Sequence, residues 1–339
     1  MTEQSPWDNR YYQTVTSNEP IAEEVKKKPF KMGIFLNIIL FIFTFITTTM
    51  AGAQWMNKNP YDIHDFHFGL KYSILILTVL SCHEFGHYFA AKIHKVKVTL
   101  PYFIPFPMLL LNPFGTMGAV IRMKSPSRTR KALFDIGIAG PVAGFVASFI
   151  ILVWGMTHLP SIEYLFNIHP NYRLTGIPLS QGFSFGNTLL YLGLSKLLTS
   201  STSVFLPPMN EMYHYPFLCV GWFGLLITSL NLLPVGQLDG GHIVYALFGS
   251  KHKIIARVFF VLTASMGIIG LLPFIGINLF ENYGLVQWVL WSLLIFFVIR
   301  VDHPPIYDPE PIGWGRKLWG LFALFMLVSS FTPSPINNF

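Results

Sequence analysis

The stretch "LTVLSCHEFGHYFAAKI", residues 77–93, sets two histidines and a glutamate inside a run that is otherwise apolar. Read as a helix, the run places positions i and i+4 on one face. His83 and His87 then project side by side and can hold one metal ion between them. Glu84, one step round the helix, can reach a water molecule there without being a ligand. A hydrogen-bonded histidine pair in a helix bundle is the plain alternative. Against it stands the setting, since ionisable groups inside a membrane helix are expensive and mark function.

The rest of the chain makes that setting a membrane. Of 339 residues, 52% are hydrophobic and 12% charged, against roughly 25% charged in a soluble domain. Mean hydropathy is +0.50, and several runs approach the roughly 20 apolar residues needed to cross a bilayer. The expectation is an all-α polytopic membrane protein with about seven transmembrane helices. They are placed at 33–53, 69–93, 132–157, 215–234, 254–278, 284–300 and 316–332.

Residues 1–31 are polar and lack a short apolar core with a small-residue cleavage site. They are expected to form a disordered cytoplasmic tail before a retained anchor, not a removable signal peptide. A membrane-embedded domain over 32–333 follows, with 334–339 as a C-terminal tail. Lys26, Lys27, Lys28 and Lys31 precede the first helix. Lys92, Lys95, Lys97, Arg122, Lys124, Arg128, Arg130 and Lys131 flank the second connection, and Lys251, Lys253 and Arg257 the fourth. All fall on one face, read as cytoplasmic. The net charge of +7 thus reflects basic loops and no nucleic-acid partner. The loop 158–214 lies outside, with a helix over 186–198 along the surface. Cys82 and Cys219 sit in apolar runs and suggest no disulfide framework.

Residues 100–120, "LPYFIPFPMLLLNPFGTMGAV", are apolar but not a span. Pro101, Pro105, Pro107 and Pro113 would break a helix repeatedly, and Gly115 and Gly118 favour a turn. A re-entrant hairpin entering from the cytoplasmic face is expected, with a loop lying on the headgroups as the alternative.

A catalytic zinc site needs a third protein ligand besides two imidazoles and one position left for water. Asp239, in "NLLPVGQLDGGH" (231–242), is the candidate. Pro234 and Gly236 are expected to end the preceding helix, and Gly240 and Gly241 to turn the chain tightly around the carboxylate. The expected topology brings Asp239 to the face where the HEFGH helix also ends.

Together the HEFGH helix, "NLLPVGQLDGG", "GTMGAVI" (115–121), "LFDIGIAGPVAGF" (133–145) and "HPPIYDPEP" (303–311) resemble the site-2 protease family of intramembrane zinc metalloproteases, over residues 69–330. The resemblance implies one zinc ion per chain on His83, His87 and Asp239, with Glu84 as catalytic base and Asn231 holding the substrate carbonyl. It also implies membrane-anchored regulatory substrates cut near the cytoplasmic face, and a bacterial inner membrane with the N-terminus cytoplasmic. Against the resemblance, the extracytoplasmic PDZ domain of many bacterial relatives and the cytoplasmic C-terminal nucleotide-sensing module of others are expected to be missing here. A substrate helix must unwind before a carbonyl can be attacked, and the hairpin around Gly115 and Gly118 offers a strand edge for the extended segment.

Two rival functions are a metal-binding transporter and a catalytically inactive membrane scaffold. Transport favours polar residues along several helices, whereas the ionisable groups here gather at one site. The scaffold leaves the proposed base and all three ligands without a use. Asp135 is read as a structural carboxylate, Gly140 and Gly144 as a close helix-packing face, and His242 as a neighbour of the site. His64 and His67 are set apart on the outside loop.

Overall fold

The protein is described by a computed structural model over residues 32–109, 112–124, 129–178, 182–199, 205–277, 286–306, 308 and 310–338. The predicted tail 1–31, Leu110 and Leu111 of the predicted hairpin, Arg128 and Tyr307 lie outside the described residues, as does the start of the predicted helix 284–300.

The apolar runs become helices. In chain order α1 spans Met32–Trp55 and α2 Leu70–Ile93, the latter entered through a 3-10 turn at Phe66–Gly69. Strands β1 (Tyr102–Pro105) and β2 (Thr116–Val120) follow, then α3 (Arg130–Thr157). Thr129 caps α3 by accepting the Ala132 N–H at 3.1 Å, which satisfies one of the free donors of the first turn. The next connection folds into α4 (Glu163–Ile168), α5 (Tyr172–Thr175), β3 (Phe183–Phe185) and α6 (Leu189–Thr199). Then come α7 (Pro216–Asn231), α8 (Asp239–Phe248), α9 (His252–Leu271), α10 (Gln287–Leu294), α11 (Trp314–Ser330) and β4 (Ile336–Asn338). A π-helical turn, Ile295–Ile299, continues α10.

Helix lies on each of the seven predicted stretches. By length and composition, four helical segments among the described residues can cross a membrane: Gly33–Trp55, Phe66–Ile93, Arg130–Thr157 and Asp239–Ile275. Pro216–Asn231 and Gln287–Ile299 are apolar but shorter. Phe35, Ile38 and Ile42 of α1 and Val258, Val261 and Leu262 of α9 are exposed, the outward apolar surface that a hydrocarbon solvent permits.

Helices α2, α3 and α7 pack together, and α8 lies against α3. Their contact surfaces bury Ile76, Leu80, Phe134, Leu152, Trp222 and Leu225. Thr48 on α1 is hydrogen-bonded to Ser73 on α2 at 2.7 Å.

Two details revise the expected all-α fold. Strands β1 and β2 form an antiparallel pair, with Tyr102 opposite Val120 and Phe103 opposite Ala119. It is clamped to α1 because Asn37 Nδ2 donates to the Pro101 carbonyl at 2.7 Å. Gly115 has φ +75°, and the Thr47 carbonyl stands 2.3 Å from where a Cβ would be. Both the positive φ and the close approach require glycine. The segment set apart as a C-terminal tail includes β4, which pairs with β3 so that Ser184 faces Asn337.

Candidate active site

Three donors meet where α2, α3 and α8 touch. His83 and His87 stand one turn apart on α2, their Nε2 atoms 3.1 Å from each other. Asp239 Oδ2 lies 3.3 Å from both. Both histidines are buried.

Asp239 arrives by a tight reversal of the chain. Helix α7 stops at Asn231, earlier than expected, and Asp239 is the first residue of a new helix. The turn is made at Gly236, with φ +54° and its N–H on the Val301 carbonyl at 2.9 Å. Gly240 and Gly241, expected to turn the chain, are instead helical in the first turn of α8. They lie so close to the Leu232 and Gly236 carbonyls that a side chain would not fit. The carboxylate therefore sits at a helix N-terminus, where negative charge is favoured.

The rings are fixed from behind. His87 Nδ1 donates to the Ile136 carbonyl on α3 at 2.7 Å, which leaves Nε2 as the free acceptor. A Cβ on Gly140 would fall 2.1 Å from His87 Nε2, and one on Gly144 would fall 3.0 Å from His83 Nδ1. The glycines read as helix-packing residues thus let α3 lie directly on the imidazoles.

Glu84 is buried one residue beyond His83, and the Ile121 backbone at the end of β2 reaches its carboxylate. Asn231 Nδ2, at the end of α7, is 3.3 Å from His83 Nε2. Gly115 and Gly118 lie in the hairpin; Gly118, with φ +97°, has open space where a Cβ would be.

The donor set suits zinc. A tetrahedral ion with bonds of about 2.0–2.1 Å holds its ligand atoms about 3.3 Å apart, and the three edges measure 3.1, 3.3 and 3.3 Å.

Other residues support the frame. Asp135 takes a two-pronged hydrogen bond from Arg316 of α11 at 2.8 and 2.7 Å, and pairs with His94 at 2.8 Å. It joins the end of α2 to the starts of α3 and α11. His242 Nδ1 meets His303 Nε2 at 2.8 Å, and Tyr245 Oη accepts the Ile306 N–H. Asp308 accepts the Arg130 N–H at 2.8 Å. The "HPPIYDPEP" segment, quoted above only for its family likeness, therefore straps α8 and its Asp239 to α3. Its two prolines beside a histidine were the visible signal of a rigid connector. His64 and His67 stay exposed, with His67 Nδ1 on the His64 carbonyl, and join no ligand cluster among the described residues.

Such a buried donor set within apolar helices defines a membrane-embedded metal-centre protein. Residues 71–274 match peptidase family M50, and the chain belongs to that family. It is an integral membrane protein. It is 30% identical over 344 residues to the probable zinc metalloprotease EGY2, chloroplastic, of Oryza sativa subsp. indica, covering 99% of this chain and 57% of that one. It is 28% identical over 336 residues to the protein of the same name from Arabidopsis thaliana, covering 98% and 54%. With the probable zinc metalloprotease EGY1, chloroplastic, of Arabidopsis thaliana it shares 29% over 280 residues, covering 80% and 44%. The chain spans about half the length of these relatives.

Proposed function

We propose that this chain is an intramembrane zinc metalloprotease that hydrolyses peptide bonds in or near the transmembrane segments of membrane-anchored proteins, regulatory membrane proteins among them. The observation that carries the reading is the buried triangle of His83, His87 and Asp239 with tetrahedral spacing, with Glu84 and Asn231 beside it. Zinc held there would supply Lewis acidity, which brings water to a pKa of about 7 and polarises a carbonyl. Glu84 takes the proton of the attacking water and hands it to the leaving nitrogen. Asn231 Nδ2 donates to the carbonyl oxygen as its negative charge develops. An unwound substrate segment pairs along β2, which leads into Ile121 beside Glu84, and Gly118 leaves that strand open to it.

The test is metal removal. Purified protein stripped by a chelator is expected to stop cutting a single-pass reporter protein, and added zinc to restore cleavage. A stripped protein that still cuts, or a zinc-loaded one that never does, overturns the reading.

We also infer seven membrane helices, with residues 32–333 as the embedded domain and 100–120 entering the bilayer as a hairpin. The N-terminus is cytoplasmic and the membrane a bacterial inner membrane, the plastid membranes of the relatives being the alternative. The short α7 supports this depth: its 16 residues extend about 24 Å, less than a hydrocarbon core of about 30 Å. Asn231 would thus end inside the bilayer. Single cysteines at the exposed Leu174 and Ser250, in a chain lacking Cys82 and Cys219, test the orientation. Leu174→Cys is expected to react with an impermeant maleimide in intact cells, and Ser250→Cys only after lysis. The opposite pattern reverses the topology.

A further inference from the structure

A second group of metal-binding side chains lies at the other end of α7. His169 follows α4, while Glu211 and His214 flank the short turn that leads into α7. His169 Nε2 and His214 Nε2 are 2.8 Å apart. Glu211 Oε2 is 3.4 Å from His214 Nε2 and 3.9 Å from His169 Nε2. Counted along the helix from Pro216 to Asn231, about 24 Å separates this group from the candidate active site.

Two members of the group, His214 and Glu211, are held with a lone pair facing inward. His214 is 1% exposed, and its Nδ1 donates to the Trp55 carbonyl at the end of α1. A carbonyl can only accept, so the neutral ring keeps Nε2 bare. Glu211 is 2% exposed. Its Oε1 accepts the Tyr172 hydroxyl at 2.9 Å, while Oε2 accepts no hydrogen bond among the described residues and faces the two imidazoles. The Tyr172 ring stacks on His169 with centroids 4.6 Å apart.

Hydrogen bonding alone leaves a gap. With both imidazoles neutral and His169 Nε2–H donating to His214 Nε2, Glu211 Oε2 stays buried with no hydrogen to accept, which is unfavourable by several kcal/mol for a charged group on general grounds. A single cation answers all three lone pairs at once. The outward-facing atoms are already engaged, by Trp55 for His214 and by Tyr172 for Glu211, as the supporting partners of metal ligands usually are.

We propose that His169, Glu211 and His214 bind a second divalent metal ion, zinc by its two-imidazole and one-carboxylate chemistry. It fastens the connection 158–214 to the end of α1 and to the first turn of α7, the helix that carries Asn231 at its far end. Tyr164 makes the same junction by donating to the His214 carbonyl at 2.7 Å.

Zinc content of the full chain in detergent, after loading and desalting, tests this separately from protease activity. Wild type is expected to hold about two ions per chain, and His83→Ala/His87→Ala about one. His169→Ala, which alters a partly exposed loop residue, should also hold about one. The ion it retains should disappear when Asp239→Ala is added, which reports that the first site is folded and loaded. Glu211→Gln should behave like His169→Ala. If His169→Ala and Glu211→Gln bind as much zinc as wild type, or if His83→Ala/His87→Ala binds none, the second site does not exist and the group is a hydrogen-bonded network.

Discussion

Glu84→Gln is expected to lower cleavage of a membrane-embedded reporter by about 10²- to 10⁴-fold while leaving zinc bound. Glutamine keeps the shape and can still occupy the space beside Ile121, but it cannot take a proton from water. The loss corresponds to about 2.7–5.4 kcal/mol of transition-state stabilisation. Asp239→Ala should behave differently. It removes one corner of the 3.3 Å triangle with His83 and His87, so metal and cleavage should fall together. Measuring bound zinc and the cleavage rate on the same preparations separates the two roles. A Glu84→Gln protein that cuts at the wild-type rate sinks the assignment of Glu84 as base. An Asp239→Ala protein with undiminished zinc at the first site sinks the ligand set.

The contrast matters because these two residues were legible in different ways. His83, Glu84 and His87 could be read from spacing alone, since one helical turn brings i and i+4 together whatever the surrounding fold. Asp239 lies 152 residues beyond His87, and no local rule joins them. It became a candidate through the need for a third ligand, the expected membrane depth and the family resemblance. The helices were legible because long apolar runs have few other outcomes in a bilayer. Their ends were not: α7 stops at Asn231 because the chain must reverse through Gly236, which approaches the Arg300 carbonyl too closely for any side chain. A hairpin over 100–120 was legible from its prolines and glycines, but the bounds of β1 and β2 were not, since Pro105 ends β1 next to the irregularity in pairing between Phe103 and Pro105.

Long-range chemistry was the least legible. His169 and His214 are separated by 45 positions with Glu211 near one of them, a spacing that no short motif encodes. The "HPPIYDPEP" strap could be quoted as a family likeness, yet its mechanical role follows only from contacts that cross the whole chain, such as Arg130 with Asp308. A sequence shows local periodicity plainly and shows tertiary closure only where a motif happens to record it. That limit explains why the helix-packing glycines were underestimated.

Gly140→Ala is expected to weaken zinc binding by about 100-fold, with cleavage falling in step. The added Cβ would fall 2.1, 2.4 and 2.4 Å from His87 Nε2, Cδ2 and Cε1, whereas real Cβ contacts essentially never come under 3.0 Å. Either the His87 ring moves or α3 backs away from α2. The ring is tied to Ile136 on the same helix by a 2.7 Å hydrogen bond, so both escapes disturb the ligand. Roughly 0.5 Å of displacement is enough to spoil a metal-site geometry. Gly144→Ala, with a 3.0 Å contact to His83 Nδ1, should show a smaller loss of the same kind. Gly193→Ala on α6, where nothing lies within 4 Å, should bind zinc as the wild type does. Zinc affinities for the three variants, taken with circular dichroism to verify helix content, therefore form a graded series ordered by distance from the imidazoles. If Gly140→Ala retains wild-type affinity, α3 can yield without disturbing His87, and the glycine serves helix packing alone.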